Sequence, residues 1–102
     1  MDTREFSKVD LNLLISLQVL LEERSVSRAA ERLFITQPAM SKTLTRLRVL
    51  FNDALFTRSS RGMQPTPRAL ELAARLSEIL GDISHLLSEP GFDPRAAQGE
   101  IT

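Results

Sequence analysis

The apolar positions change period along the chain, and each change marks an element boundary. Leu11, Leu13, Leu14, Leu17, Leu20 and Leu21 follow Asp10, which reads as a helix start. They cover more than one face, and a helix that is apolar nearly all round is buried by several neighbours. The stretch 11–23 is therefore predicted to be a structural helix that can also touch a second subunit. Ser25 or Ser27 can cap a second, short helix ending near Leu33, with Ala29, Ala30 and Leu33 as a small-residue inner face. Residues 34–37 then lead to a third helix. Thr36 is its N-cap, and Pro38 sits in the first turn, where a missing N–H costs nothing. Its core row is Met40, Leu44, Leu47 and Phe51, spaced 4, 3 and 4.

After Asn52-Asp53 the helical period stops. Leu55-Phe56-Thr57-Arg58 reads as a strand and Ser59-Ser60-Arg61-Gly62 as a turn, with Gly62 free to take positive φ. Met63-Gln64 returns, and Pro65 limits that strand to an edge. Thr66-Pro67 opens a long fourth helix, expected to reach about Ser88 and to be stopped by Pro90-Gly91. Residues 1–8 carry no pattern and are expected to fray, and 92–102 reads as a linker.

The fourth helix has two apolar rows. Ala69, Ala73, Leu76, Leu80, Ile83 and Leu87 are spaced 4, 3, 4, 3 and 4, a heptad seam. Leu72, Ile79 and Leu86 repeat every seven residues. One row can pack on the domain and the other on a twin helix, and the six-residue seam is assigned to dimerisation. The alternative is one amphipathic helix folded onto its own domain, which the early turns are expected to be.

Length and charge narrow the function. A chain of 102 residues suits one domain. It has no cysteine, which excludes disulfides and thiolate–metal sites and fits a reducing cytoplasm. The longest apolar stretch is too short to span a bilayer, and no export signal is read at the start. The net charge is zero, but between Arg24 and Arg68 nine bases stand against Glu31 and Asp53 alone. A basic middle between acidic flanks suggests a face built for a polyanion.

The third helix carries the chemistry. With its apolar row turned inward, Gln37, Ser41, Lys42, Thr45 and Arg48 point outward, without a carboxylate. In a major groove Gln can bond adenine, Ser and Thr can bond bases or phosphate, and Lys and Arg can reach guanine or backbone. A Pro near the helix start can lie on a thymine methyl. Phosphate oxygens also favour the positive helix end near Thr36 and Gln37. The plain alternative is an ordinary polar face, but a short helix and tight turn before it make a helix-turn-helix. Arg58 and Arg61 flank a narrow turn that can follow a backbone or enter a minor groove. Thr36, Thr45, Arg46, Arg48, Arg58 and Arg61 are accordingly expected on the DNA backbone or in the minor groove. His85, the lone histidine, reads as a solvated helix residue without a metal role. No metal or cofactor is expected. One histidine, no cysteine and no phosphate loop leave nothing for an enzyme. A protein-interaction module using only the long helix would explain the heptads but not the basic stripe. Salt separates the two, because counterion release weakens DNA binding steeply.

Six stretches carry a resemblance: Asp10-Leu11-Asn12-Leu13-Leu14, 25–33, Thr36-Gln37-Pro38-Ala39-Met40-Ser41, Leu47-Arg48, 53–58 and 62–67. Together they resemble the N-terminal domain of LysR-type transcriptional regulators over about residues 9–90, with 47–48 and 62–67 most like the branch of nodulation and aromatic-degradation regulators. The resemblance implies a mainly α fold. Residues 1–66 would form a winged helix-turn-helix of three helices and a two-stranded β wing, and 67–89 a dimerisation helix. Residues 90–102 would lead to an effector-binding domain absent here, so the chain reads as a fragment. It further implies base contacts by Gln37, Pro38, Ser41 and Lys42, and a wing arginine at Arg58. The partners it implies are a homodimer on an interrupted inverted repeat of double-stranded DNA, tetramers in full-length members, and a small effector held by the missing domain. Lys42, where arginine is frequent, lacks the bidentate fork and suits phosphate better than a base. Ala54 and Asn52 also depart from the common pattern.

Overall fold

The computed structural model describes residues 10–88. The expected fraying of 1–8, the stop at Pro90-Gly91 and the linker 92–102 lie outside the described residues. In chain order the elements are α1 (Asn12–Glu23), α2 (Val26–Arg32), α3 (Gln37–Phe51), β1 (Phe56–Ser59), β2 (Gly62–Pro65) and α4 (Pro67–Leu87).

Short polar side chains cap α2, α3 and α4, whereas α1 follows Leu11 with no side-chain cap of its own. The Asp10 carboxylate accepts from the Asn12 N–H at 2.9 Å ahead of α1. Ser25, not Ser27, caps α2, its hydroxyl accepting from the Arg28 N–H at 3.2 Å. Thr36 and Thr66 cap α3 and α4 by accepting from the Ala39 and Ala69 N–H groups at 3.2 and 3.1 Å, and in both helices a proline follows in the first turn. Such caps each contribute about 1 kcal/mol. Two non-glycine residues take left-handed backbone to turn the chain between helices, Arg24 (φ 52°) after α1 and Phe34 (φ 57°) after α2.

The first three helices close around one core. Leu17 and Leu20 of α1, Ala29 and Ala30 of α2, and Met40, Leu44 and Leu47 of α3 are buried, with Phe51 and Leu33 packed against them. Full burial of a leucine or methionine contributes about 1.5–3 kcal/mol, so this row fixes which side of α3 faces out. The wing is antiparallel, with Phe56 opposite Pro65 and Ser59 opposite Gly62. Gly62 takes φ 100°, as the turn required. The first strand begins one residue later than the sequence suggests, because Leu55 is buried with φ 65° and cannot lie in extended backbone.

The assignment of the six-residue seam to dimerisation is narrowed to its distal end. Ala69 and Leu76 are 0% and 4% exposed, inside the domain's own core, and Leu72 and Leu80 pack against that core as well. Ala73 is half-buried. The cause is α1, whose nearly continuous apolar surface needs cover that α2 and α3 do not supply; the early turns of α4 cross it. Ile83 and Leu87 remain exposed, joined by Ile79 and Leu86. No helix among the described residues is long and apolar enough to cross a membrane.

Candidate nucleic-acid interface

Burial of Met40, Leu44 and Leu47 leaves Thr36, Gln37, Pro38, Ser41, Lys42, Thr45, Arg46 and Arg48 exposed. Ser41, Thr45 and Arg48 lie one turn apart along one side of α3, and that side faces the wing. A groove of about 270 Å³ runs between them, lined by Ser41, Thr45 and Arg48 of α3 and by Phe56, Thr57, Arg58 and Met63 of the wing. A second groove, about 300 Å³, continues from Arg58 and Met63 to Gln37 at the start of α3 and to Arg24, Ser25 and Ser27 at the start of α2. Arg58 therefore lies where the two meet. The charged groups along the strip are Arg24, Arg48 and Arg58, with no carboxylate among the lining side chains. An anion in this strip meets positive potential from three elements at once.

Hydrogen bonds divide the predicted residues further. Thr36 is engaged as a cap. The Thr45 hydroxyl donates to the Ser41 carbonyl at 3.2 Å. Arg48 is turned toward the root of the wing. Its Nε donates to the Ala54 carbonyl at 2.8 Å and its Nη2 to the Phe56 carbonyl at 3.5 Å, so it links α3 to β1 besides lining the groove. Arg46 is exposed but follows Thr45 by one residue, about 100° around the helix and away from the wing side. Arg61 is exposed at the turn of the wing. Arg32, one of the nine central bases, is held by Glu22 at 2.6 Å and Glu23 at 3.1 Å. The Gln18 amide, then the Arg32 guanidinium, keeps the Glu22 carboxyl below its usual range. Arg32 thus braces α2 against α1 and adds little field to the strip.

Sequence reasoning missed two groups. Arg24, Ser25 and Ser27 were read only as charge and caps, yet they line the strip. Asp53 was read as one of two central acids and as part of a matching stretch, with no bonding role. Its Oδ2 accepts from the Leu55 N–H and from the Thr66 hydroxyl, both at 2.8 Å. The Thr66 hydroxyl, then the Leu55 N–H, then the charge of Arg68 hold its carboxyl below the usual aspartate range. The signal available was local, since aspartate readily bonds the backbone N–H two residues on. Among the described residues no cluster of three or more potential metal ligands occurs.

With this geometry in hand, comparison with known proteins is specific. A family described as "Bacterial regulatory helix-turn-helix protein, lysR family" matches residues 11–70. The chain is 40% identical over 102 residues to the HTH-type transcriptional regulator LeuO of Escherichia coli K12, covering 95% of this chain and 32% of that protein. It is 47% identical over 98 residues to the HTH-type transcriptional activator NagR of a Ralstonia species, again covering 95% of this chain and 32% of the relative. The chain thus spans about a third of the length of these relatives. Among solved structures, a probable transcriptional regulator from Pseudomonas aeruginosa superposes with a TM-score of 0.74 at 40% identity, covering 80% of this chain and 28% of the other. The BenM DNA-binding domain in complex with benA site 1 DNA superposes with a TM-score of 0.72 at 26% identity, covering 78% of this chain and 93% of that one. The helix-turn-helix, the wing between α3 and α4 and these matches agree: the chain belongs to the LysR family of bacterial regulatory helix-turn-helix proteins.

Proposed function

We propose that this chain is the sequence-specific DNA-binding module of a LysR-type transcriptional regulator, acting in the cytoplasm as a homodimer on double-stranded DNA. One observation carries the reading. The row that must face inward does so, and it leaves Gln37, Pro38, Ser41, Lys42 and Thr45 open on α3 beside a groove whose far wall is the basic wing. Gln37, Pro38 and Ser41 reach base edges in the major groove, and Lys42 beside them reaches a base edge or, better suited to its single ammonium, a phosphate. Thr36, Thr45 and Arg46 meet backbone, and Arg58 and Arg61 meet the flanking backbone or minor groove. Arg48 adds charge to the groove while holding the wing. The BenM domain solved with DNA, which shares the fold, supports this reading by likeness.

The second copy fits the distal part of α4. Ile79, Ile83, Leu86 and Leu87 are exposed together on its last turns, an apolar face that a twin helix would cover. A two-fold pair places two recognition helices on the halves of an inverted repeat. In a longer protein a domain beyond residue 90 would bind the small effector.

Selection of bound duplexes from a random pool tests the reading, with affinity measured across salt. The expected outcome is an enriched, interrupted inverted repeat whose binding falls steeply with salt. No enrichment, with salt-independent behaviour, overturns it in favour of a helix-pairing module. For the dimer, Leu86→Glu should give a folded monomer by sedimentation, because pairing would bury an unpaired carboxylate. Leu80 is a poorer site for that test, since it packs on the chain's own core.

A further inference from the structure

The link between α3 and the wing contains a strained residue held from every side. Leu55 has φ 65° and is fully buried. The Phe56 N–H donates back to the Ala54 carbonyl at 2.7 Å, closing a γ-turn over Leu55. With positive φ this turn is the rare, strained form, and for a branched apolar residue it persists only where its surroundings over-determine it. They do. The Leu55 N–H donates to the Asp53 carboxylate at 2.8 Å. The Leu55 carbonyl accepts from the Thr66 N–H at 2.9 Å. Arg48 donates to the Ala54 carbonyl at 2.8 Å from the helix side. The Thr66 hydroxyl donates to the same Asp53 oxygen at 2.8 Å while accepting from the Ala69 N–H. Three residues from three places, the end of α3, the loop and the start of α4, converge on one turn.

Such a turn is not needed to connect a helix to a strand. What it does is set the direction in which β1 leaves α3, and Arg58 lies two residues beyond Phe56 on that strand. A two-stranded hairpin has little stability of its own, so its aim is decided at its root. We propose that Asp53 and Thr66 are positioning residues for DNA recognition, locking the Leu55 turn so that Arg58 stands opposite Ser41 and Thr45 across the groove. The inference rests on the DNA-binding reading and names residues outside the DNA contact set that govern it. It also makes the wing root and the cap of α4 one hydrogen-bonded unit, so the wing follows the start of the helix whose far end the dimer would use.

The test uses the 102-residue chain and a duplex recovered by its own selection; if none is recovered, the DNA-binding reading itself fails, before any variant is made. Asp53→Ala and Thr66→Val should each weaken binding about tenfold, the loss of one charge-assisted contact. The salt slope should become shallower by about 0.9 for each wing arginine that leaves its phosphate. Protection of the DNA backbone beside the wing should vanish, while guanine protection under α3 stays. Asp53→Asn keeps an acceptor at the same place and Thr66→Ser keeps the hydroxyl, so both should bind nearly as the parent does. In combination with Arg58→Ala and Arg61→Ala together, Asp53→Ala should add nothing, because it acts through the wing arginines. Additive losses in the triple variant, intact wing protection in Asp53→Ala, or a Thr66→Ser as weak as Thr66→Val would each overturn the proposal. If Asp53→Ala does not fold, Thr66→Val takes its place in the same cycle.

Discussion

The recognition helix and the wing face each other across one groove but are held by different forces. Helix α3 has fifteen residues and presents its outer stripe because Met40, Leu44 and Leu47 are driven inward. That constraint is apolar, collective and indifferent to charge. The wing has two four-residue strands, buried only at its root through Leu55 and Phe56. Its aim depends on Asp53, Thr66 and Arg48, a few polar bonds of defined geometry. A helix face can be set by pattern alone, whereas a hairpin must be set by its attachment.

The sharpest way to break this contrast is to remove an apolar anchor. Leu47 is fully buried at the centre of the row. Leu47→Ala should lower stability by about 2–5 kcal/mol, from lost transfer energy plus a residual cavity. Urea unfolding checks it, with Asp53→Ala as the partner measurement. The contrast predicts that Leu47→Ala is much the more destabilising of the two, and a smaller loss than in Asp53→Ala would reverse the assignment of forces.

Next in size are the effects on DNA. Gln37→Ala should cost about 1–3 kcal/mol at its base pair and leave random duplex nearly untouched, whereas Arg58→Ala should weaken all sequences alike. Competition binding against selected and scrambled duplexes separates them. Equal losses on both duplexes for Gln37→Ala would remove it from base reading and leave α3 as charged a surface as the wing.

The same contrast explains how much was legible in the sequence. The spacing of Met40, Leu44, Leu47 and Phe51 foretold the inner side of α3, hence the outer one, because burial follows period. Thr36, Thr66 and Gly62 were legible for a similar reason: each carries a local chemical demand. The seam of α4 was legible as apolar but not as to what it covers. Ala69 and Leu76 go to the chain's own core, a choice made by the unfilled surface of α1 and by nothing within α4. Leu55 was read as strand since leucine in an apolar run gives no hint of positive φ. Arg48 was read as a DNA residue because its outward side is clear from spacing, while the carbonyls of Ala54 and Phe56 come within its reach only once β1 has folded back. Polar tertiary partners have no period, and so the wing root stayed hidden.

At the turn of the wing the expected effect is smaller. Gly62 takes φ 100°, and an added Cβ would meet nothing within 4 Å. Strain alone is therefore at issue, and Gly62→Ala should cost about 1–2 kcal/mol. Thermal melting should show that modest loss with α3-dependent guanine protection unchanged. A large loss would mean that the turn, and not the root, organises the hairpin.

The smallest effect isolates the clamp by its charge. Hydrogen bonds from Thr66 and then Leu55 keep the Asp53 carboxyl below its usual range in the folded chain. A group whose folded pKa is depressed contributes stability that is fully present above its unfolded pKa and is lost as pH falls through the folded one. The clamp should therefore hold at neutral pH and through mild acid, and weaken only below the ordinary aspartate range. A protonated carboxyl still offers an oxygen, so the change is modest. The measurement is the difference in melting temperature between the parent chain and Asp53→Asn as pH is lowered. The parent should be the more stable at neutral pH, and the two should converge in acid, because the substitution already mimics the neutral form. Subtraction removes Glu22, whose carboxyl is also held low but by Gln18 and Arg32. A constant difference across the range would show that the Asp53 charge adds nothing to its geometry, leaving the wing root fixed by acceptor position alone.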